Sequence, residues 1–250
     1  MPFTLAHPAA AIPLRRVLGS YAVLSALVIG SLTPDLSYFV PVRVPRGASH
    51  SPLALLWFCL PMGLSVYVAF HAFLKRPLVS LLPSYLRRRL IPMVDHPGGL
   101  PAVPWAGVVV SLVAGATTHI LWDAFTHSGA PAARQVASTA IGFFLLAFFS
   151  LRWLRSAVPS ATDGDFAIAP RLRAGLLMLV LLAWGLLALP SAAPLLRHGL
   201  TPRAFENFVA RALVVGSSAS AIALMLFGVL WHLAQGDRRP QNPGSAVQER

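Results

Sequence analysis

Apolar residues run through this chain in long blocks, broken by short clusters rich in Arg, Pro and Gly. A membrane-spanning helix needs about 20 apolar residues, within a range of about 17–25. Five blocks meet or approach that length: 52–74, 103–125, 136–151, 174–190 and 212–235. The first carries no full charge, the second keeps its apolar character despite Asp123, and the third is a little short. The first 51 residues read differently. "LAHPAAAIPL" and "VLGSYAVLSALVIGSL" are each short for a span, and Gly19-Ser20 is a turn signal. They predict two short helices in a hairpin that enters the membrane side-on, since irregular backbone is tolerated at depth where other protein covers it. The expected fold class is therefore all-α. It is a polytopic membrane helical bundle of about five transmembrane helices plus an N-terminal helical hairpin. Residues 1–235 would form one membrane-embedded domain. Residues 236–250, polar and rich in Pro and Gly, would form a disordered tail.

Composition supports the bilayer. Of the 250 residues 56% are hydrophobic and only 11% charged, against about 25% charged in soluble domains. Mean hydropathy is +0.67. No basic stretch precedes the first apolar run, so no cleaved signal peptide is expected and the first membrane segment must direct insertion. The single cysteine, Cys59, lies inside an apolar run and rules out a disulfide framework or a cysteine-based zinc site.

The net charge of +12 comes almost wholly from Arg. These residues sit between the apolar runs rather than on one face, a pattern of positive loops at anionic lipid and not of nucleic-acid binding. With the hairpin non-spanning, loops 75–102 and 152–173 and the tail are richer in Arg and Lys than the loops on the other side. The richer side is expected to be cytoplasmic, placing the C-terminus there and the protein in the cell membrane. If residues 17–32 spanned instead, Arg15 and Arg16 would change sides and the asymmetry would grow. Charge alone thus prefers a spanning segment.

The chemistry concentrates at "THILWDAFTH", residues 118–127. His119, Asp123 and His127 recur every four residues, on one helical face, close enough for imidazole and carboxylate to share one ion. Ionisable groups in a membrane segment are costly and are functional candidates by default. Asp123 could instead simply bond His119 or a neighbouring helix. Gly129 and Pro131 end the helix soon after, so the trio lies at the membrane edge. In "SLTPDLSYFV", Thr33 suits an N-cap, Pro34 the first helical position and Asp35 the first turn. In "GASHSPLALL", Ser51 and Pro52 suffice to start a helix, leaving His50 just before it. His7 precedes Pro8 near the N-terminus. His71, His96, His198 and His232 have no carboxylate at helical spacing and are set aside. The topology puts Asp35, His50, His119, Asp123 and His127 on one membrane face. Imidazoles with carboxylates favour a divalent metal of the zinc kind over magnesium, and several such ligands could serve a two-metal hydrolytic site.

The blocks "MPFTLAHPAAAIPLRR", "SALVIGSLTPDLSYF", "SHSPL" and "THILWDAFTHSGA", in that order, resemble a bacterial membrane family known as domain of unknown function 4184. The resemblance covers most of residues 1–235. The blocks are also similar to a broader group that includes bacterial inner-membrane metal-dependent hydrolases and, more distantly, zinc-dependent phospholipase C. That resemblance implies metal ligands at His7, Asp35, His50, His119 and Asp123. This chain departs from it where the membrane hydrolases read "PDxDH" and this sequence reads "PDLSY", and where "HRGxTHS" is reduced to "RGASHS". Fewer ligands are therefore implied than a full multi-metal site requires. If His7 is a ligand it must share a face with Asp35, which a hairpin allows and a spanning 17–32 segment does not.

The function expected is a membrane-bound metal-dependent hydrolase acting on a lipid or phosphoester at the membrane face, with Arg43, Arg46 or Arg134 available to a phosphate. Membrane lipids are the expected partners, no nucleic acid is expected, and the sequence names no substrate. No nucleophile elbow or P-loop is visible. Two other readings stay open. One is a non-catalytic membrane protein with a structural His/Asp cluster. The other is a transporter, which gains no support from internal repeats or from polar groups in the remaining spans.

Overall fold

Each long apolar run folds as a helix, because hydrocarbon offers backbone N–H and C=O groups no partner and a helix satisfies them internally. The structure is a computed structural model and describes residues 4–39, 44–94, 103–127, 132–163, 166, 168–193 and 201–236. Among these residues all regular structure is helical. Short helices α1 (Pro8–Ala11), α2 (Leu14–Leu18), α3 (Leu24–Gly30) and α4 (Arg46–Ser49) precede the long ones. The long helix α5 covers Leu55–Leu81. It is followed by α6 (Ser84–Val94), α7 (Trp105–His127), α8 (Ala132–Ser156), α9 (Pro170–Ala188) and α10 (Pro202–Gly236). Among the described residues five helices are long and apolar enough to cross a membrane: α5, α7, α8, α9 with its 3-10 extension, and α10. The expected tail beyond Gly236, Arg43, the Gly129–Pro131 stop signal and the His127 side chain lie outside the described residues.

The helices outrun the apolar blocks. Residues 136–151 looked short, yet α8 takes in the polar flanks "AARQ" and "RWLRS" and gains length enough to span. α5 continues past residue 74 through Lys75 and Arg76. It contains two π turns, Leu55–Cys59 and Phe70–Leu74. Each lies one turn before a proline, Pro61 or Pro77. A proline lacks the N–H that would bond the carbonyl four residues back and its ring crowds that carbonyl; a locally wider turn relieves the clash.

The N-terminal segment is the expected hairpin. Gly19, with φ +55, makes the turn, in a backbone region that side chains with a Cβ rarely adopt. The hairpin lies along α7. Near its tip, the Val23 amide donates to Ser111 Oγ at 2.9 Å, and the Ser111 hydroxyl donates to the Tyr21 carbonyl at 3.2 Å. Farther along, the backbones of α3 and α7 touch: a Cβ on Gly30 would overlap the Leu112 carbonyl, and one on Gly115 the Leu27 carbonyl. Small residues permit such close crossings. At the hairpin's open end, His7 and Asp35 reach Asp123 and His119 on α7. Gly107, which packs on Tyr21, lies about 24 Å of helix from Asp123 at 1.5 Å per residue, against a hydrocarbon layer of about 30 Å. The hairpin thus runs most of a span's length before turning back. His7 and Asp35 share one end while the exposed Arg15 and Arg16 sit toward the other. The hairpin therefore separates Arg15 and Arg16 from His7 and Asp35 without a single helix over residues 17–32.

Ala26, Ile29, Tyr67, Val108 and Leu112 form the core between α3, α5 and α7. Ala54, Phe58, Cys59 and Ala116 continue it toward the polar end. At the opposite end, buried Arg87 of α6 holds Asp163 through two hydrogen bonds of 3.1 and 2.8 Å, and Arg88 Nε donates to the Ser160 carbonyl at 2.7 Å. These contacts pin the connection between α8 and α9.

Candidate metal centre

Four local structures deliver the polar side chains. His7 sits between a 3-10 turn, Thr4–Ala6, and α1, whose first residue is Pro8. Asp35 lies in the 3-10 turn Thr33–Tyr38. Thr33 does not cap that turn as its sequence position suggested: the preceding residue is Leu32, and the Thr33 hydroxyl donates back to the Gly30 carbonyl at 2.7 Å. The backbone had an internal carbonyl to offer, and a buried hydroxyl takes the nearest acceptor. His50 follows α4, and Ser51 Oγ accepts the Ala54 amide at 3.3 Å in the turn that follows; α5 itself starts later than Ser51 and Pro52 suggested, with Ala54 at its N-cap. His119 and Asp123 stand one turn apart on α7.

All five side chains meet. His7, Asp35, His119 and Asp123 are each less than 5% exposed, and His50 is 11% exposed. Asp123 Oδ1 lies 3.1 Å from His7 Nε2, while Asp123 Oδ2 lies 3.2 Å from His50 Nε2 and 3.6 Å from His119 Nε2. Asp35 Oδ1 is 3.3 Å from His50 Nε2, and Asp35 Oδ2 is 3.7 Å from His119 Nε2. The rings of His7 and His119 stack with centroids 3.8 Å apart.

The far side of each imidazole fixes its near side. His7 Nδ1 lies 3.1 Å from the Thr4 carbonyl, His119 Nδ1 2.7 Å from the Ser31 carbonyl, and His50 Nδ1 3.1 Å from the Arg46 carbonyl. A carbonyl only accepts, so each Nδ1 carries a proton and donates. In the neutral ring, Nε2 is then a bare lone pair. With all three rings neutral, such lone pairs would face two carboxylates, acceptor against acceptor. Among the described residues, Asp35 Oδ1, His50 Nε2 and His119 Nε2 are buried with no hydrogen-bond partner. Such a set closes only around protons or a cation. One ligand atom each from Asp35, His50, His119 and Asp123 lies within 4.8 Å of the others, and this group could hold a metal ion. The backbone carbonyls behind the imidazoles are the outer partners that metal-binding histidines commonly have.

Two further residues touch the carboxylates. Thr4 Oγ1 donates to Asp35 Oδ2 at 2.6 Å, and Arg46 Nη2 to Asp123 Oδ2 at 2.5 Å. Two carboxylates against one guanidinium leave a negative site when the imidazoles are neutral, which favours a dication. Burial would raise the Asp35 pKa, but His50, His119 and Thr4 outweigh it and hold it below the usual carboxylate range. For His50 burial pulls down, while Asp123 and Asp35 pull harder and push the imidazole up to about 9. Arg46 was read from sequence only as a phosphate partner. Thr4 and the three carbonyls went unread, because backbone groups leave no mark in a sequence.

No curated protein and no solved structure matches the chain. A family model described as "Domain of unknown function (DUF4184)" matches residues 1–137. That stretch is more than half of the chain and contains His7, Asp35, His50, His119 and Asp123, with the hairpin, α5 and α7 that carry them. By this match the chain belongs to the family of the domain of unknown function, DUF4184.

Proposed function

We propose that the protein is a membrane-embedded metal-dependent hydrolase that cleaves a phosphoester at one membrane face. The observation that supports this most is the convergence of three imidazole Nε2 atoms on two buried carboxylates, each imidazole held from behind by a backbone carbonyl. Asp35, His50, His119 and Asp123 would hold the metal, and His7 would brace Asp123 from the other oxygen. Imidazole with carboxylate suits zinc or a similar borderline ion. A bound divalent ion would supply Lewis acidity and make water a stronger nucleophile near neutral pH.

The chain's own groups do the rest. Arg46 is half-buried, on the rim, and its planar guanidinium matches a phosphate. Burial, then the charge of Asp35, push the Tyr38 phenol up, so it keeps its proton and can donate to a substrate oxygen. In the hydrolysis, the water gives up a proton as its oxygen bonds to phosphorus, the ester P–O bond breaks, and the leaving oxygen takes up a proton.

A second reading has its own observation. Thr4 and Arg46 already hold one oxygen of each carboxylate, so the cluster can act as an ion-paired clasp without metal. Elemental analysis of tag-free protein in detergent separates the two. Near-stoichiometric metal, lost in folded His119→Ala and Asp123→Ala together with phosphoester turnover, supports the hydrolase. Absence of metal after reconstitution, with no turnover, leaves the clasp.

A further inference from the structure

We infer that Arg46 changes partners as the site loads. It neutralises Asp123 while no metal is held, yields that carboxylate to a divalent ion, and then binds the phosphate group of the substrate. This exchange rests on the hydrolase reading and supplies the way its phosphate is recruited.

Arg46 holds an oxygen that a metal would need. Its Nη2 donates to Asp123 Oδ2 at 2.5 Å. The same oxygen faces His50 Nε2 at 3.2 Å and His119 Nε2 at 3.6 Å. Asp123, His50 and His119 belong, with Asp35, to the group that could share one ion. A guanidinium and a divalent cation on either side of one buried oxygen repel, because little water screens them. Thr4 is a different neighbour. Its hydroxyl donates to Asp35 Oδ2 at 2.6 Å, carries no charge and can stay.

Arg46 is placed to move. Its side chain is 36% exposed, whereas that of Asp123 beneath it is 5% exposed. Among the described residues its guanidinium donates through Nη2 to Asp123, and its Nε is buried with no hydrogen-bond partner. Arg offers five N–H donors, so most of its capacity is unused on Asp123, and a phosphate accepts two of them in parallel. The backbone beneath is fixed. The Arg46 carbonyl accepts the His50 amide at 2.9 Å, and His50 Nδ1 lies 3.1 Å from it. The side chain therefore swings about a backbone tied to a candidate ligand, and an anion it holds stays beside the site.

Charge gives the exchange its direction. With neutral imidazoles, Asp35, Asp123 and Arg46 leave one net negative charge, which attracts a cation and repels a phosphate. A divalent ion reverses that sign, and the released guanidinium then meets an anion instead of a carboxylate. Metal and phosphate thus favour each other's binding, by the same factor in both directions.

The test titrates cobalt(II) into metal-free full-length protein in detergent at fixed pH, with and without phenylphosphonate, a phosphate mimic with no ester bond to hydrolyse. The visible absorption of bound cobalt(II) gives the affinity and needs no turnover. Phenylphosphonate should raise the cobalt(II) affinity of the wild type about tenfold, a usual size for coupling between two ligands. Arg46→Gln should bind cobalt(II) about tenfold more tightly in the absence of phenylphosphonate, having lost a charge-assisted competitor. In that variant phenylphosphonate should add about twofold or less, its direct contact with the ion alone. Arg46→Lys keeps the charge without the planar fork, so it should keep the wild-type affinity with a smaller effect of phenylphosphonate. Equal or weaker cobalt(II) binding by Arg46→Gln would show that Arg46 braces Asp123 and would overturn the exchange. An undiminished effect of phenylphosphonate in Arg46→Gln would place the anion elsewhere and overturn the recruitment. No cobalt(II) binding by any form would remove the metal site and the exchange together. The expected coupling without phosphoester turnover would keep the exchange and remove only the hydrolysis.

Discussion

His7 Nε2 meets Asp123 Oδ1 at 3.1 Å across 116 residues of sequence. The contact ties the hairpin's first turn to the end of α7, from the side of the carboxylate opposite His50 and His119. His7 stands outside the group of four that could share one ion. His7→Ala should therefore weaken metal binding by about 10–100-fold, the usual cost of losing an outer partner. Calorimetric titration of zinc into the metal-free variant checks this; affinity equal to wild type would show that His7 does not support the centre.

His50 sets a pH dependence. Its imidazole is pushed up to about 9 by Asp123 and Asp35 in the metal-free protein, above an unfolded value of about 6.5. The stability this contributes is complete below about 6.5 and is lost as pH rises through about 9. Metal competes for the same lone pair, so its affinity should rise with pH, by about tenfold per unit for one proton, and level off above about 9. Thermal melts of the two forms should diverge as pH rises, and parallel curves would contradict the arrangement.

The crossing of α3 and α7 has no room for a methyl group. Gly30→Ala or Gly115→Ala must push the hairpin away from α7, at a cost of about 1–3 kcal/mol for overpacking. Since His7 and Asp35 ride on the hairpin, both variants should also lose metal affinity although neither residue touches the site. A folded Gly115→Ala protein with unchanged affinity would count against this coupling.

Arg87 provides the complementary control. It is 5% exposed and binds Asp163 through two hydrogen bonds. Arg87→Ala should cost about 1–2 kcal/mol, less than the 3–5 kcal/mol of a fully buried pair, because the Asp163 side chain is 29% exposed. The measure is the unfolding midpoint in detergent. Metal content should not change, since Arg87 lies at the other end of the molecule.

Much of this architecture was readable because the bilayer imposes it. Runs such as 52–74 and 212–235 have few alternatives to a helix, and the alternation of sides follows from counting them. Asp35, His50, His119 and Asp123 were gathered onto one face by that counting alone. The hairpin was readable through Gly19, though not its depth, which depends on contacts of Tyr21 and Val23 with Ser111. The ends of α5 and α8 were misjudged because hydropathy falls before the backbone stops being helical. Gly107, Ser111 and Gly115 recur every four residues and lead directly to His119 and Asp123. That spacing was present in the sequence, but its meaning depended on a partner helix that no local pattern reveals.

The same row of residues has a consequence for synthesis. The hairpin leaves the ribosome well before α7 exists, so its small-residue face and the carboxylate of Asp35 must wait for the surface they will meet. Only when α7 arrives can Gly30 settle against Leu112 and the five polar side chains close together. Were the site to hold a metal, capture would have to wait for α7, and an occupied site would report that the hairpin, α5 and α7 had all been inserted.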